Sequence, residues 1–250
     1  MPTATQAECT TILRHTLLVR VTHWITFLAF IALLVTGIEI LISHPRFYWG
    51  EVGNVNTHPI FTFHIPSSRD TVPTGYGYVL PDQNGWSRYL HFEAAWVLVL
   101  TGLVYVGWSV FSGHLRRNLF PSREERSLGA YARRIGQYLR GTGSTGDELH
   151  RYNVLQRSSY MVVIFVLFPL IIWTGLAMSP SFTSTFPLTS SLLGGRQSAR
   201  TLHLFVTIAL VLFLVVHVTM VALSGFRARM RAMITGKAEL PAEVASKELP

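Results

Sequence analysis

The side chains of this sequence best suited to chemistry are its histidines. There are ten. Four of them, His23, His91, His203 and His217, lie inside or at the rim of long apolar runs, where an ionisable group needs a reason. Three share a pattern: Arg20-Val-Thr-His23, Arg88-Tyr-Leu-His91 and Arg200-Thr-Leu-His203 all read R-x-x-H, and none of the other seven histidines has arginine three residues before it. Residues i and i+3 share one helix face, a turn apart. A metal held by such a histidine has a cation one turn away, placed to form a charge-assisted hydrogen bond with an acidic group on the metal's other ligand. Snorkelling from a helix end explains the arginines but not the histidines behind them. His203 and His217 are 14 residues apart, two heptads, so both project from nearly one face of a packed helix. Their axial separation is about 21 Å at ~1.5 Å per residue.

The elements that carry these residues are long and apolar. Hydrophobic residues make up 49% of the 250 and charged residues 14%, against about 25% charged in a soluble domain. The mean hydropathy is +0.35. This composition argues against disorder and against an ordinary soluble enzyme. Four apolar runs, about 20–43, 88–112, 158–179 and 200–224, each approach the ~20 residues a helix needs to cross the hydrocarbon core. Backbone in lipid must satisfy itself, so helices are expected. The fold expected is therefore all-α and integral to the membrane, a four-transmembrane-helix bundle forming a single domain over 1–250. Pro169 reads as a tolerated kink inside the third span. The first span is too long and too polar at its end for a signal peptide.

The cationic residues set the expected orientation. Of the 21 lysines and arginines, 16 lie in the N-terminal segment, the 113–157 loop or the C-terminal tail. The positive-inside rule puts both termini in the cytoplasm, and it also explains the net charge of +8 without a nucleic-acid partner. The outer loop, 43–87, is rich in Gly, Pro, Tyr and Trp and has no helical periodicity. It reads as a lid over the helix ends, as a docking surface for a partner subunit, or as both. In the inner loop, Leu128–Leu139 puts Leu128, Tyr131, Ile135, Tyr138 and Leu139 on one face, the pattern of an interfacial helix lying on membrane lipid.

This topology pairs the histidines by depth. His91 opens the second span from outside, level with His203, and His23 opens the first from inside, in the same half as His217. Two bis-histidine pairs, His91–His203 outside and His23–His217 inside, suit two stacked six-coordinate haems, with Arg20, Arg88 and Arg200 as propionate partners. The single cysteine, Cys9, excludes a disulfide framework, an all-cysteine metal site and covalent haem attachment through C-x-x-C-H. Thr36-Gly37, Thr101-Gly102 and Thr174-Gly175 place a T-G step in three spans, and Gly107 and Gly113 add to the second. Gly37 and its counterparts let a macrocycle or a neighbouring helix approach closely. Glu93, two residues past His91, is placed to shield the outer haem. His15, His44, His58, His64, His114 and His150 read as ordinary loop or terminal residues.

At this point the sequence resembles the four-helix di-haem cytochrome b subunits of membrane-bound bacterial oxidoreductases. These include the gamma subunit of formate dehydrogenase and the cytochrome b subunits of nickel–iron hydrogenase and thiosulfate reductase. The resemblance runs from about Arg14 to Arg231. It rests on Arg20-Val-Thr-His23-Trp24, Thr36-Gly37, His91, the stretch Arg151-Tyr152-Asn153-Val154-Leu155-Gln156-Arg157, and His203 with His217. It implies two haem b groups on these four histidines and a multi-pass protein of the bacterial inner membrane. It also implies a periplasmic-side oxidoreductase subunit of molybdenum or iron–sulfur type as partner. The two loops look closer to the thiosulfate reductase branch than to formate dehydrogenase.

The resemblance further implies a quinone, menaquinone or ubiquinone, near Asn153 and Gln156. Their amides can donate to a quinone carbonyl, with His150 able to deliver a proton. On residue types alone, helix capping and interface solvation fit Asn153 and Gln156 equally well. The expected role is a non-catalytic electron-transfer subunit between that partner and the quinone pool. Two rivals fit the same residues: a stand-alone di-haem oxidoreductase acting on superoxide or a small molecule, and a haem-free transporter with a histidine proton relay. Against the transporter stands the lack of paired, interrupted, repeat-related helices.

Overall fold

Apolar backbone that closes its own hydrogen bonds gives four long helices. The computed structural model describes residues 9–54, 56–64, 83–116, 120, 127, 129, 131–133, 136, 140 and 154–241. Helix α1 is Leu17–Ser43 and α2 is Gln83–Phe111. The third span is composite: α3, Val154–Val162, a π-helical turn, Val163–Leu167, and α4, Phe168–Met178. Short helices α5, Pro180–Thr185, and α6, Leu188–Ser191, lead into α7, Arg196–Leu223, and then α8, Phe226–Thr235. Four stretches are long and apolar enough to cross a membrane: Leu17–Ser43, Trp86–Phe111, Leu155–Met178 and Arg196–Leu223. The expected all-α four-span architecture is borne out.

Each of these helices begins three to five residues before its expected boundary, drawn at an arginine in three of the four. A long aliphatic stem lets arginine reach the interface without ending the helix, so Arg20, Arg88 and Arg200 sit inside the first turns. Pro169 lies at the start of α4. Proline removes one N–H and crowds the carbonyl four residues back. The widened turn before it, closed by the Phe168 N–H on the Val163 carbonyl, relieves that crowding without breaking the span.

The helices pack as two pairs, α1 against α2 and α4 against α7. Among the described residues, backbone approaches between the pairs are sparse. Side chains meet there instead: Phe30 of α1 reaches a small core of Val163, Val206 and Leu210.

Two short ribbons that the apolar pattern could not reveal tie the ends. Strand β1, Cys9–Leu13, pairs antiparallel with β4, Lys237–Pro241, joining the segment before α1 to the one after α8. Strands β2, Arg46–Phe47, and β3, Phe61–Thr62, pair beyond the other end of α1, where Phe47 and Phe61 stack at 4.9 Å. Residues 65–82 of the outer loop and most of the 128–139 segment lie outside the described residues.

Candidate functional site

His91, on α2, and His203, on α7, meet between the two helix pairs with ring centres 6.3 Å apart and planes tilted by 57°. Each is held from behind by a threonine of the partner helix. Fully buried Thr36 of α1 puts its Oγ1 2.9 Å from His91 Nδ1 and 2.7 Å from the Ala32 carbonyl. Fully buried Thr174 of α4 does the same for His203, at 2.9 Å from Nδ1 and 2.9 Å from the Leu170 carbonyl. A hydroxyl has one hydrogen to give. Donated to the helix carbonyl four residues back, it leaves the oxygen to accept from Nδ1–H. A neutral imidazole protonated on Nδ1 carries its lone pair on Nε2, the nitrogen a metal takes. The glycine after each threonine completes the cradle: a Cβ on Gly37 or Gly175 would touch Cε1 of His91 or His203 at 3.6 Å.

The second pair is built differently. His23 of α1 and His217 of α7 stand with ring centres 6.4 Å apart. Their neighbours are rings: Trp24 at 5.5 Å from His23, and Tyr160 at 6.1 Å and Phe213 at 5.8 Å from His217. A metal bonded at about 2 Å to one nitrogen of each imidazole sets the ring centres about 6 Å apart. Both pairs have that spacing. Among the described residues no three His, Cys, Asp or Glu side chains gather. Each pair therefore offers two ligands on opposite sides of a gap, the donor set that suits the iron of a macrocycle with its own four nitrogens.

The arginines lie at the helix ends, beyond their histidines. Arg200 donates to the His44 carbonyl and passes 4.7 Å over the Phe47 ring. Arg88 Nη2 lies 3.3 Å from His44 Nε2. Both arginines of the His91–His203 end thus converge on His44, the residue that caps α1. Its loop position gave no sign of this in the sequence; the one available signal was its place directly after an apolar run. At the other end Arg20 donates to the Ile234 carbonyl, while its buried Nε has no partner among the described residues, a donor still open to an acid.

Other expected residues are less engaged. Gly102 and Gly107 face open space, so T-G steps matter at Gly37 and Gly175 and not at Gly102. The Glu93 side chain is exposed. Gln156 lies one turn before Tyr160, whose ring is 6.1 Å from that of His217; Asn153 and His150 are outside the described residues. His15, just before α1, is pushed down to about 4 by burial first and then by the charges of Arg14, His23, His114 and Arg20. The threonines were legible only as small residues for close packing; the signal overlooked is that a T-G step precedes an R-x-x-H twice, Thr36-Gly37 with Arg88–His91 and Thr174-Gly175 with Arg200–His203.

The family profile of prokaryotic cytochrome b561 matches residues 14–236. The chain belongs to that family. As a prokaryotic cytochrome b561 it is a multi-pass protein of the bacterial inner membrane with a haem b electron-transfer role, and the resemblance drawn from the sequence is borne out. A relative from Azospira oryzae, provisionally named protein-methionine-sulfoxide reductase subunit YedZ1, is 32% identical over 209 residues, covering 82% of this chain and 87% of the relative. No solved structure matches. The facing imidazoles, the glycine cradle and the open Arg20 Nε fit the haem that the family implies.

Proposed function

We propose that this cytochrome b561 binds two b haems, one between His91 and His203 and one between His23 and His217, and links the quinone pool to a redox partner outside the cytoplasm. Two imidazole pairs of matching spacing, 6.3 and 6.4 Å, carry the reading. The excess of arginine in the 113–157 loop and the tail supports cytoplasmic termini, with the His91–His203 pair toward the periplasm. Bound there, the haems supply one-electron carriage across the membrane. The protein supplies axial nitrogens, apolar surroundings and cations: Arg88 and Arg200 for the outer propionates, Arg20 for the inner ones.

The relative's name supports a partner that reduces methionine sulfoxide in proteins. Electrons then flow outward. Quinol oxidation releases two electrons and two protons. Reduction of a sulfoxide to a thioether consumes two of each and releases water, so the two half-reactions balance. Gln156, one turn from the Tyr160 beside His217, together with Asn153, is the place for menaquinol or ubiquinol, its amides donating to the quinone oxygens.

The test is a reduced-minus-oxidised optical spectrum of the detergent-purified protein with haem quantified per chain. Two b-type haems are expected. One haem removes a histidine pair from the assignment, and a colourless protein overturns the reading.

A further inference from the structure

The two histidine pairs differ in what stands behind them, and the difference has a consequence for electron transfer. His91 and His203 each give Nδ1–H to a buried threonine at 2.9 Å. The arrangement is repeated: Thr36 serves His91 from α1, and Thr174 serves His203 from α4. Both threonines are fully buried, and both give their own hydrogen to their helix, at 2.7 Å to Ala32 and 2.9 Å to Leu170. A hydroxyl that gives its hydrogen to its own helix meets the ring as an acceptor, which favours the Nδ1–H tautomer. Among the described residues no hydrogen bond reaches a ring nitrogen of His23 or His217, whose ring contacts are with each other and with Trp24, Tyr160 and Phe213.

Resting on the ligand assignment above, we infer that Thr36 and Thr174 are positioning residues of the outer haem, orienting its two axial histidines and lowering its reduction potential relative to the same site without the hydroxyls. The reason is electronic as well as steric. An acceptor on the far N–H makes an imidazole a better electron donor to its metal and holds its plane. Greater donation favours ferric over ferrous iron, and hydrogen bonding of this kind is one of the protein's levers on potential. General helix packing does not require this geometry, since a threonine bonded back to its own helix satisfies itself without a histidine. Two such threonines, on different helices, each meet the Nδ1 of a different member of one pair.

The experiment is a potentiometric titration of the purified holoprotein, with haem per chain and the low-spin ferric EPR signal recorded alongside. The variants are Thr36→Val, Thr174→Val and the corresponding serines. Each valine variant should raise the midpoint of the outer haem, shift its EPR signal and leave the inner haem unchanged, while each serine variant should match the parent. Loss of the outer haem in valine but not in serine variants also supports a hydroxyl role. The inference is overturned if both haems are retained with unmoved midpoints, or if serine disturbs the site as much as valine. His91→Ala separates this from the underlying reading: that variant should lose the outer haem alone, and two haems retained in it would sink the ligand assignment, whatever the threonines do.

Discussion

Replacing Gly195 by alanine should unfasten the N-terminal end of α7. Gly195 precedes the helix at φ 113°, in the region L side chains rarely adopt. A Cβ there would lie 2.5 Å from the carbonyl carbon and oxygen of Gly50 and 2.6 Å from the Glu51 nitrogen. These are backbone atoms and cannot rotate away. Gly50 is itself held by three hydrogen bonds: its carbonyl accepts from the N–H of Gln197 at 3.0 Å and of Ser198 at 3.2 Å, and its N–H donates to Ser198 Oγ at 2.7 Å. The strained conformation costs about 1–2 kcal/mol. If the clash breaks the clasp, each of the three bonds adds about 1 kcal/mol, so the total loss is about 4–5 kcal/mol. The damage is local to the start of α7, one to two turns before Arg200 and His203. Thermal denaturation of the holoprotein, followed by loss of the haem absorption band, should show a clearly lowered midpoint with the outer haem released first. Gly102→Ala is the internal control. A Cβ there meets open space inside α2, and alanine is favoured over glycine in a helix by up to about 1 kcal/mol. Equal midpoints for the two variants would refute the reasoning, because they share the same substitution and differ only in geometry.

Other perturbations separate the remaining parts of the site. His217→Ala should remove one haem per chain and leave the His91–His203 haem with its midpoint nearly unchanged; loss of neither haem excludes His217 as a ligand. Gln156→Leu should slow reduction of the cytochrome by a quinol at least tenfold while dithionite still reduces both haems at once, since leucine cannot donate to a quinone oxygen; an unaltered quinol rate moves the quinone elsewhere. His15 offers a pH test. Its folded value of about 4 lies below the ordinary 6.5, so the folded chain binds fewer protons than the unfolded one between these limits. The contribution is then full above about pH 6.5 and is lost as pH falls toward 4. The ceiling is about 3 kcal/mol at 1.36 kcal/mol per unit, and less in practice because the ring is partly exposed. Melting of the wild-type protein and of His15→Gln at pH 7 and pH 5 should show the smaller drop in the variant; parallel drops would remove His15 as the cause.

What the sequence made legible follows from the physics of each element. The spans were readable because lipid imposes length and apolarity on any crossing helix. Their ends were not, because Arg20, Arg88 and Arg200 look like boundaries but lie three to five residues inside their helices, where a long stem lets the charge sit at the helix end. The β1–β4 ribbon could not be foreseen: it joins Cys9–Leu13 to Lys237–Pro241, and such a non-local pairing of short strands leaves no periodic mark. The histidines stood out because titratable groups in apolar runs are costly. The two-heptad spacing on α7 placed His203 and His217 at two depths, with His91 and His23 opposite.

The threonines behind His91 and His203 were hidden for the opposite reason. Threonine costs little in a membrane helix, since it can bond to its own backbone, so Thr36, Thr101 and Thr174 look alike in sequence. Only position separates them. Thr36 and Thr174 lie across from a histidine on the helix packed against their own, and the glycine after each sits directly against that ring, whereas Gly102 faces open space. A threonine becomes informative when read with the R-x-x-H of the next long span. The α1–α2 pair carries that combination once and the α4–α7 pair carries it again. One helix pair supplies each histidine of the His91–His203 pair together with the hydroxyl hydrogen-bonded to it. The two halves therefore meet across the gap as near-equivalents, and a substitution at Thr36 should be mirrored in kind by one at Thr174.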